Sequence, residues 1–424
     1  MTQAGSIIAC HDCGLLQRIS HIPEDGAARC CRCAAILRKR QRVKPAKSIE
    51  HTLALVITAM VLFIIANAFP IIRIQAEGHE MAATLFSCVV YLLTHDFPFL
   101  SGLVFLTSIG APLMQLTGLL YLLLPLNFNR IPWHAALIYR LVRIISAWSM
   151  LEVLMLGILV SVVKLSAMAT VIPGIALWTF GLLIFFIAAI VSALDTEMLW
   201  EQIGSRSTAP GKKHACQGTR LTNCHNCHLL CLISSRDSQH RCQCPRCGTV
   251  LHWRKPDSLT RCTALLLAAF IMYIPANLLP VMVISSLGST EEDTIMSGVI
   301  SLATSGDWPL ALIVFIASIC VPVIKMLILA LLLVSIHFKS QWRPRGRTRL
   351  YRFTENIGRW SMVDIYVDTL MAALIQIQGL MVIEVGVGAV AFGSVVVLTM
   401  LAAMAFDPRL IWDNLEKMDE SVTG

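Results

Sequence analysis

Residues 309–336 read PLALIVFIASICVPVIKMLILALLLVSI, with one ionisable side chain, Lys325. A helix rises 1.5 Å per residue, so about 20 apolar residues cross a hydrocarbon core about 30 Å thick. This run is long enough to span. Similar runs lie at 51–72, 99–125, 146–168, 173–194, 262–285, 360–381 and 383–405. Across the chain 56% of residues are hydrophobic and 14% charged, with a mean hydropathy of +0.70. So few charges cannot cover a water-facing surface, which excludes a soluble protein. The expectation is an all-α polytopic membrane protein with eight transmembrane helices. No cleavable signal peptide is expected, because the first apolar run starts near His51, is too long and lacks a small-residue cleavage site.

Eight spans put both termini on one side, and loop charges say which. Arg38, Lys39, Arg40, Arg42, Lys44 and Lys47 precede the first span, and Arg130, Arg140 and Arg143 fill the second loop. The sixth loop carries Lys339, Arg343, Arg345, Arg347, Arg349, Arg352 and Arg359. The opposite loops carry almost no cations: Arg73 alone in the first, and none in 286–308, which holds Glu291, Glu292, Asp293 and Asp307. The positive-inside rule places both termini and the central linker in the cytoplasm. This signal, with contact to anionic lipid, accounts for most of the net charge of +8. No nucleic-acid partner is expected.

The chain repeats itself. Cys10, Cys13, Cys30 and Cys33 recur 214 positions later as Cys224, Cys227, Cys244 and Cys247. Asn67 and Pro70 match Asn277 and Pro280; Ser108 and Pro112 match Ser318 and Pro322. Trp148-Ser149-Met150 with Glu152 matches Trp360-Ser361-Met362 with Asp364. Each half therefore has four spans and enters from the same side, a parallel repeat about an axis along the membrane normal. The expected organisation is 1–47, a cysteine module and basic linker; 48–200, the first four-helix module; 201–258, the second cysteine module; 259–413, the second four-helix module; and 414–424, a tail.

Each cysteine set is two CxxC pairs joined by a short segment. A CxxC knuckle presents two sulfurs to one ion, and tetrahedral Zn²⁺ accepts two knuckles, so each half is expected to begin with a small structural zinc ribbon. Such modules have too little core to fold without metal. An iron centre on the same ligands, or a dithiol redox pair, is the rival reading. Cys31, Cys231 and Cys242 are available as substitute ligands.

Charges inside a membrane usually face a bundle interior or a watery cavity. Glu152 and Lys164 in the third span, Lys325 in the sixth and Asp364 in the seventh qualify. Lys325 lies too deep to reach either surface, and Asp364 is its expected partner. Pro112 and Pro322 free backbone carbonyls, while Ser318, Ser361 and Thr399 add hydroxyls. The plainer alternative is an ion pair that fixes helix packing, with Glu152 and Asp364 at the cytoplasmic interface. Lys325 matches Gln115 and Lys164 matches Gln376 across the repeat. A single functional centre would therefore be weighted to the second half. The segments 84–94 and 294–304 are too short to span and read as amphipathic helices at the outer interface.

With these residues in view, the chain resembles the paraquat-inducible protein A family of proteobacterial inner-membrane proteins. The resemblance is carried by the paired CxxC modules, Pro275-Ala276-Asn277-Leu278-Leu279-Pro280, and Glu292-Asp293-Thr294-Ile295-Met296-Ser297-Gly298. It continues in Phe315-Ile316-Ala317-Ser318 with Val321-Pro322 and Lys325, and in Gly358-Arg359-Trp360-Ser361-Met362-Val363-Asp364. It implies a role in lipid traffic across the envelope, with membrane phospholipids handed to or from a periplasmic tunnel built by an MCE-domain partner. It also implies that Lys164, Ser318, Lys325, Ser361, Asp364 and Thr399 form a polar transport centre. No P-loop is present, and protonation of Asp364 beside Lys325 is a chemically reasonable coupling. No enzyme chemistry is expected. Two alternatives stand beside this: a membrane redox protein using quinone or dithiols, and a non-transporting anchor for the MCE partner.

Overall fold

The computed structural model describes residues 6–19, 26–39, 45–76, 79–166, 170–194, 199–200, 203, 220–233, 242–286, 289–306, 308–358, 360–374, 376–377 and 381–413. The expected 414–424 tail and Arg359 lie outside them, as does the side chain of Lys164.

The chain opens with two small hairpins, β1 (Ser6–Ala9) with β2 (Leu16–Ile19) and β3 (Ala27–Arg29) with β4 (Ile36–Lys39). The first half continues with α1 (Pro45–Ala68), a hairpin of β5 (Ile72–Ala76) and β6 (His79–Ala83), then α2 (Leu85–Thr94) and α3 (Pro98–Val104). It closes with α4 (Ala111–Asn127), α5 (Ala135–Ser146), α6 (Leu151–Ser166), β7 (Thr170–Pro173) and α7 (Ile175–Ala193). After the hairpin β8 (Arg220–Asn223) and β9 (Leu230–Ile233), the second half repeats this order. Its elements are α8 (Ser258–Leu278), β10 (Met282–Ser286), β11 (Ser289–Asp293), α9 (Ile295–Thr304), α10 (Trp308–Phe315), α11 (Val321–His337) and α12 (Pro344–Ile357), then α13 (Val363–Leu374), β12 (Gln376–Ile377), β13 (Met381–Val385) and α14 (Val387–Ala405).

Among the described residues, seven helical stretches are long and apolar enough to cross a membrane. Their outer surfaces carry large exposed apolar side chains such as Phe185, Leu267, Phe270 and Leu327, a surface suited to lipid rather than water. Where an eighth span was expected, at 360–381, α13 is 12 residues long and carries Asp364 and Asp368. It is preceded by the arginine-rich α12. Charge and a helix break after α12 separate it from the other seven.

In each half the first and last helices pair, α1 with α7 and α8 with α14. Between them runs a helix interrupted by a π turn, Phe105–Gly110 in the first half and Ile316–Cys320 in the second. The cause is Pro112 and Pro322, which lack an N–H and crowd the carbonyl four residues back. Ser108 and Ser318 occupy those positions, and each hydroxyl donates to the backbone one turn earlier, at Val104 and Val314. The segments 84–94 and 294–304 are short helices, as expected, each closed by a capping box, Thr84 with Ser87 and Thr294 with Ser297.

The sheets at the end of each half opposite the N-terminus of its first helix were not anticipated. One has the order β6-β5-β7 and the other β11-β10-β13-β12, all antiparallel. They tie the chain leaving the first helix to the chain entering the last, with Ile72 opposite Pro173 and Met282 opposite Val385. The closure needs glycine at Gly174 and Gly386. Their N–H groups donate to Ile71 and Val281 at 2.9 and 2.7 Å, and a Cβ at either would collide with the Pro70 or Pro280 carbonyl oxygen.

The halves meet along α6 and α13. Gly157 lets α6 approach Tyr366 closely. The Tyr366 hydroxyl donates to Thr107 Oγ1 of the first π turn at 2.7 Å, in a fully buried bond that joins the two halves.

Candidate metal centres and membrane core site

Four knuckles with one backbone geometry build the cysteine sites. In each, the residue after the second cysteine has a left-handed φ: Gly14, Ala34, His228 and Gly248. Its N–H donates back to the first cysteine, as in Gly14 to Cys10 and Gly248 to Cys244, at 2.9 and 2.8 Å. The first cysteine's N–H in turn donates to the residue five ahead, as in Cys10 to Leu15. These bonds curl both sulfurs of a knuckle to one side, and the hairpins turn two knuckles towards each other.

Cys10, Cys13, Cys30 and Cys33 therefore converge, as do Cys224, Cys227, Cys244 and Cys247, with all sulfurs of a set within 4.8 Å of one another and all buried. The facing pairs Cys10–Cys33 and Cys224–Cys247 are 3.4 Å apart, and Cys13–Cys30 is 3.5 Å. A metal–sulfur distance of about 2.3 Å in a regular tetrahedron implies about 3.8 Å between sulfurs, so each set fits one ion after slight expansion. The thiols of a set bond to one another, which lowers the pKa of Cys33 and Cys247 and raises that of their partners Cys10, Cys13, Cys224 and Cys227. A thiolate is the ligating form. Two of the substitute ligands stand apart from these sets: Cys31 is exposed and Cys231 donates to the Leu229 carbonyl.

Each cysteine module docks on the opposite half. Arg352 of α12 pairs with Asp12 at 2.6 Å and donates to the Cys33 carbonyl at 3.2 Å and its sulfur at 3.3 Å. Arg345 donates to Arg32 and Cys31 carbonyls, and Arg409 to that of His11. The second module sits on α5, where Arg140 donates to the Cys247 carbonyl at 2.7 Å and Arg143 to that of Asn226 at 3.0 Å. Arg140 and Arg352 are repeat equivalents, as are Cys247 and Cys33, so the exchange is reciprocal. Asn223 bridges the modules by donating to the Ala9 carbonyl at 3.2 Å. The lysine that leads into α8, Lys255, donates to the Met404 and Phe406 carbonyls at 2.6 and 2.9 Å, and burial lowers its pKa.

Of the expected membrane residues, Ser318, Lys325, Ser361, Asp364 and Thr399 are all buried. The second π turn, α11, the short 3-10 turn Trp360–Met362 and α14, which carry four of them, pack together. The hydroxyls of Ser318, Ser361 and Thr399 donate to local carbonyls at Val314, Gly358 and Val396. Lys325 is 1% exposed, and its Nζ has no hydrogen-bond partner among the described residues. The expected Lys325–Asp364 ion pair is absent: Nζ instead abuts Gly358, where a Cβ would lie 2.9 Å from it. Glu152 is exposed at the start of α6 and does not join this group. Asp364 lines a cavity of about 50 Å³ together with Asp293, Thr294, Gly298 and Asp368. That wall belongs to the sheet end of the half, not the end that carries the cysteine modules. Asp368 and the Tyr366–Thr107 bond escaped the sequence reading. Asp368 stands four residues from Asp364, on the same helical face, which is the signal that could have found it.

A duplicated bundle of apolar helices with two four-cysteine metal-binding modules at one end defines a multi-pass membrane protein built by internal repeat. The sequence profile of one family, Paraquat-inducible protein A, matches residues 49–204 and 259–416, once in each half. The chain belongs to this family. It is 33% identical over 412 residues to "Lipophilic envelope-spanning tunnel protein A" of Escherichia coli (strain K12), covering 97% of this chain and 92% of the relative. It is 31% identical over 419 residues to "Intermembrane transport protein PqiA" of the same strain, covering 97% and 96%. A "Probable intermembrane transport protein" of Haemophilus influenzae is 29% identical over 409 residues, covering 96% and 95%. No solved structure matches the chain.

Proposed function

We propose that this protein is the bacterial inner-membrane component of an intermembrane lipid transport system, passing phospholipid to or from a periplasmic tunnel formed by an MCE-domain partner. The names of relatives that align over nearly the whole chain support transport between membranes. The observation that carries the transport reading is the buried polar group of the second half. Lys325 sits in the bilayer portion of α11 without a partner among the described residues, and Asp364 opens on a cavity with Asp293 and Asp368. A buried charge of this kind is costly for packing alone, and a carboxylate there has a tunable proton affinity. Lys325, Asp364, Ser318, Ser361 and Thr399 form the transport centre, with protonation of Asp364 coupled to lipid movement; Lys164 and Glu152 are peripheral to it.

Both cysteine modules are zinc ribbons on the cytoplasmic side, with both termini, because the basic loops flank that end. Zinc is structural there: four thiolates close the tetrahedron and leave no open position. The turn at Trp360–Met362 with α13 completes the eighth crossing, a bent one continuing α12. The organisation is ribbon 1–47, module 48–200, ribbon 201–258, module 259–413 and tail 414–424. The protein has no catalytic residue of its own.

Lys325→Ala and Asp364→Asn, made separately, test this by rescue of an envelope-defective strain, with membrane levels and co-purification of the tunnel partner measured alongside. Loss of rescue at normal levels and normal partner binding is expected. Full rescue by both variants would reduce the chain to an anchor.

A further inference from the structure

The ribbon end of the second half carries a second group of cations that docking does not use. Trp342, Arg343, Gly346, Arg347, Arg349, Leu350 and Phe353 line an open cavity of about 420 Å³ on α12. Arg345 and Arg352, on the same helix, are engaged with the first cysteine module. Arg343 and Arg349 are exposed. Arg347 is 2% exposed and donates to Ser335 and to the Ser340 carbonyl at 3.1 and 2.8 Å. Its Nε lacks a hydrogen-bond partner, and it has no carboxylate partner among the described residues. A buried, uncompensated guanidinium in the wall of a cavity calls for an anion.

The cavity also combines charge with apolar surface along α12. Arg347 bonds to the end of α11 at Ser335 and Ser340, whereas Gly358 meets Lys325, ten residues earlier on α11 than Ser335. The helix α12 thus runs antiparallel to α11, from the ribbon end inwards. Arg343 and Trp342 stand at the outer end of the groove, and Leu350 and the exposed Phe353 at the inner end. Trp342, Leu350 and Phe353 set apolar surface beside the three cations, which suits a headgroup with acyl chains rather than a free anion. The repeat gives an internal comparison: with the displacement of 212 that relates Arg140 to Arg352, positions 347 and 349 correspond to Ala135 and Leu137, while Arg343, the left-handed cap of α12 after Trp342, matches His134, the left-handed cap of α5 after Trp133. The first half has apolar residues in place of Arg347 and Arg349, so the repeated fold and ribbon docking do not require those two cations.

We propose that this groove is a binding site for one anionic glycerophospholipid of the cytoplasmic leaflet, its phosphate held by Arg343, Arg347 and Arg349 and its chains laid along Leu350 and Phe353. This rests on the orientation proposed above, but it does not need the chain to move lipid. The test is a titration of the purified full chain with phosphatidylglycerol, phosphatidylcholine and inorganic phosphate, followed by native mass spectrometry and thermal stability. Arg343→Gln and Arg349→Gln are exposed substitutions that leave Arg347 and the ribbon contacts in place. Phosphatidylglycerol should bind in preference to phosphatidylcholine, and each substitution should weaken it about fivefold. Retained metal in both ribbons would show that docking is intact. Unchanged phosphatidylglycerol binding in the double variant would overturn the proposal, as would equal protection by inorganic phosphate, which marks a free-anion site. The rescue assay reads transport separately: a groove that binds lipid in a chain that fails rescue leaves this site standing.

Discussion

Replacing Arg352 by alanine should loosen the first ribbon and spare the second. The guanidinium of Arg352 and the carboxylate of Asp12 are 31% and 10% exposed. Removing one partner of a fully buried pair costs about 3–5 kcal/mol, and a fully exposed pair contributes about 0–1 kcal/mol. With one partner nearly covered and the other a third open, the loss should be about 2 kcal/mol, including the bonds to the Cys33 carbonyl and sulfur. Ribbon folding and metal binding are one equilibrium, so the same energy appears as about a 30-fold fall in the chelator concentration that strips half the metal. Alkylation read by mass spectrometry separates the sites: Cys10 and Cys33 report the first, Cys224 and Cys247 the second. A cycle of Arg352→Ala, Asp12→Asn and the double variant isolates the pair. A coupling below about 0.5 kcal/mol, or equal labelling at both ribbons, would refute the exchanged docking; Arg140→Ala should show the mirror result, with the second ribbon exposed.

Further outcomes follow from the same geometry. Gly386→Ala forces a Cβ onto the Pro280 carbonyl and should destabilise the second half by about 1–3 kcal/mol, read as a fall in melting temperature in detergent; an unshifted melt would contradict the close approach. Ala34→Gly relieves a left-handed residue and should tighten metal retention in the first ribbon by about 1 kcal/mol, visible in the same chelator titration. Tyr366→Phe removes the buried donor to Thr107 and should cost about 1 kcal/mol in thermal stability without metal loss. Lys325→Met removes a buried charge and should raise the melting temperature while abolishing rescue; a rise with full rescue would make Lys325 a packing defect.

What could be read in advance was what is local. The knuckles announce themselves because CxxC spacing and the turn it imposes fall within six residues, and Pro112 and Pro322 mark the helix interruptions because proline acts one turn away. The sheets were hidden because strands of about five residues pair across a hundred positions, as Ile72 does with Pro173, and no local period signals that. The arginines of the inner loops were legible only as a sum of charge. Arg140 and Arg352 proved to be specific donors to cysteine carbonyls of the opposite half, a tertiary fact with no trace in spacing. Asp364 was recognised from the repeat, but its assignment to Lys325 failed because sequence cannot say which face of a bent segment a charge occupies.

The two halves differ in a way that bears on where function sits. Much of what shapes each half is kept in duplicate: the knuckles, the π turns, the capping boxes, Gly174 with Gly386, and Arg140 with Arg352. What breaks the symmetry is charge. Lys325 stands against Gln115, buried Asp364 against exposed Glu152, and the arginines at 347 and 349 against Ala135 and Leu137. After a duplication each copy starts with the same constraints, so features shared by both are those the fold demands. Costly buried charges retained by one copy alone answer to something else. The unshared set lies in the second half: the ribbon-end groove, buried Lys325 on α11, and the cavity of Asp364 and Asp293 beneath the sheet. The Tyr366–Thr107 bond joins this second half to the first.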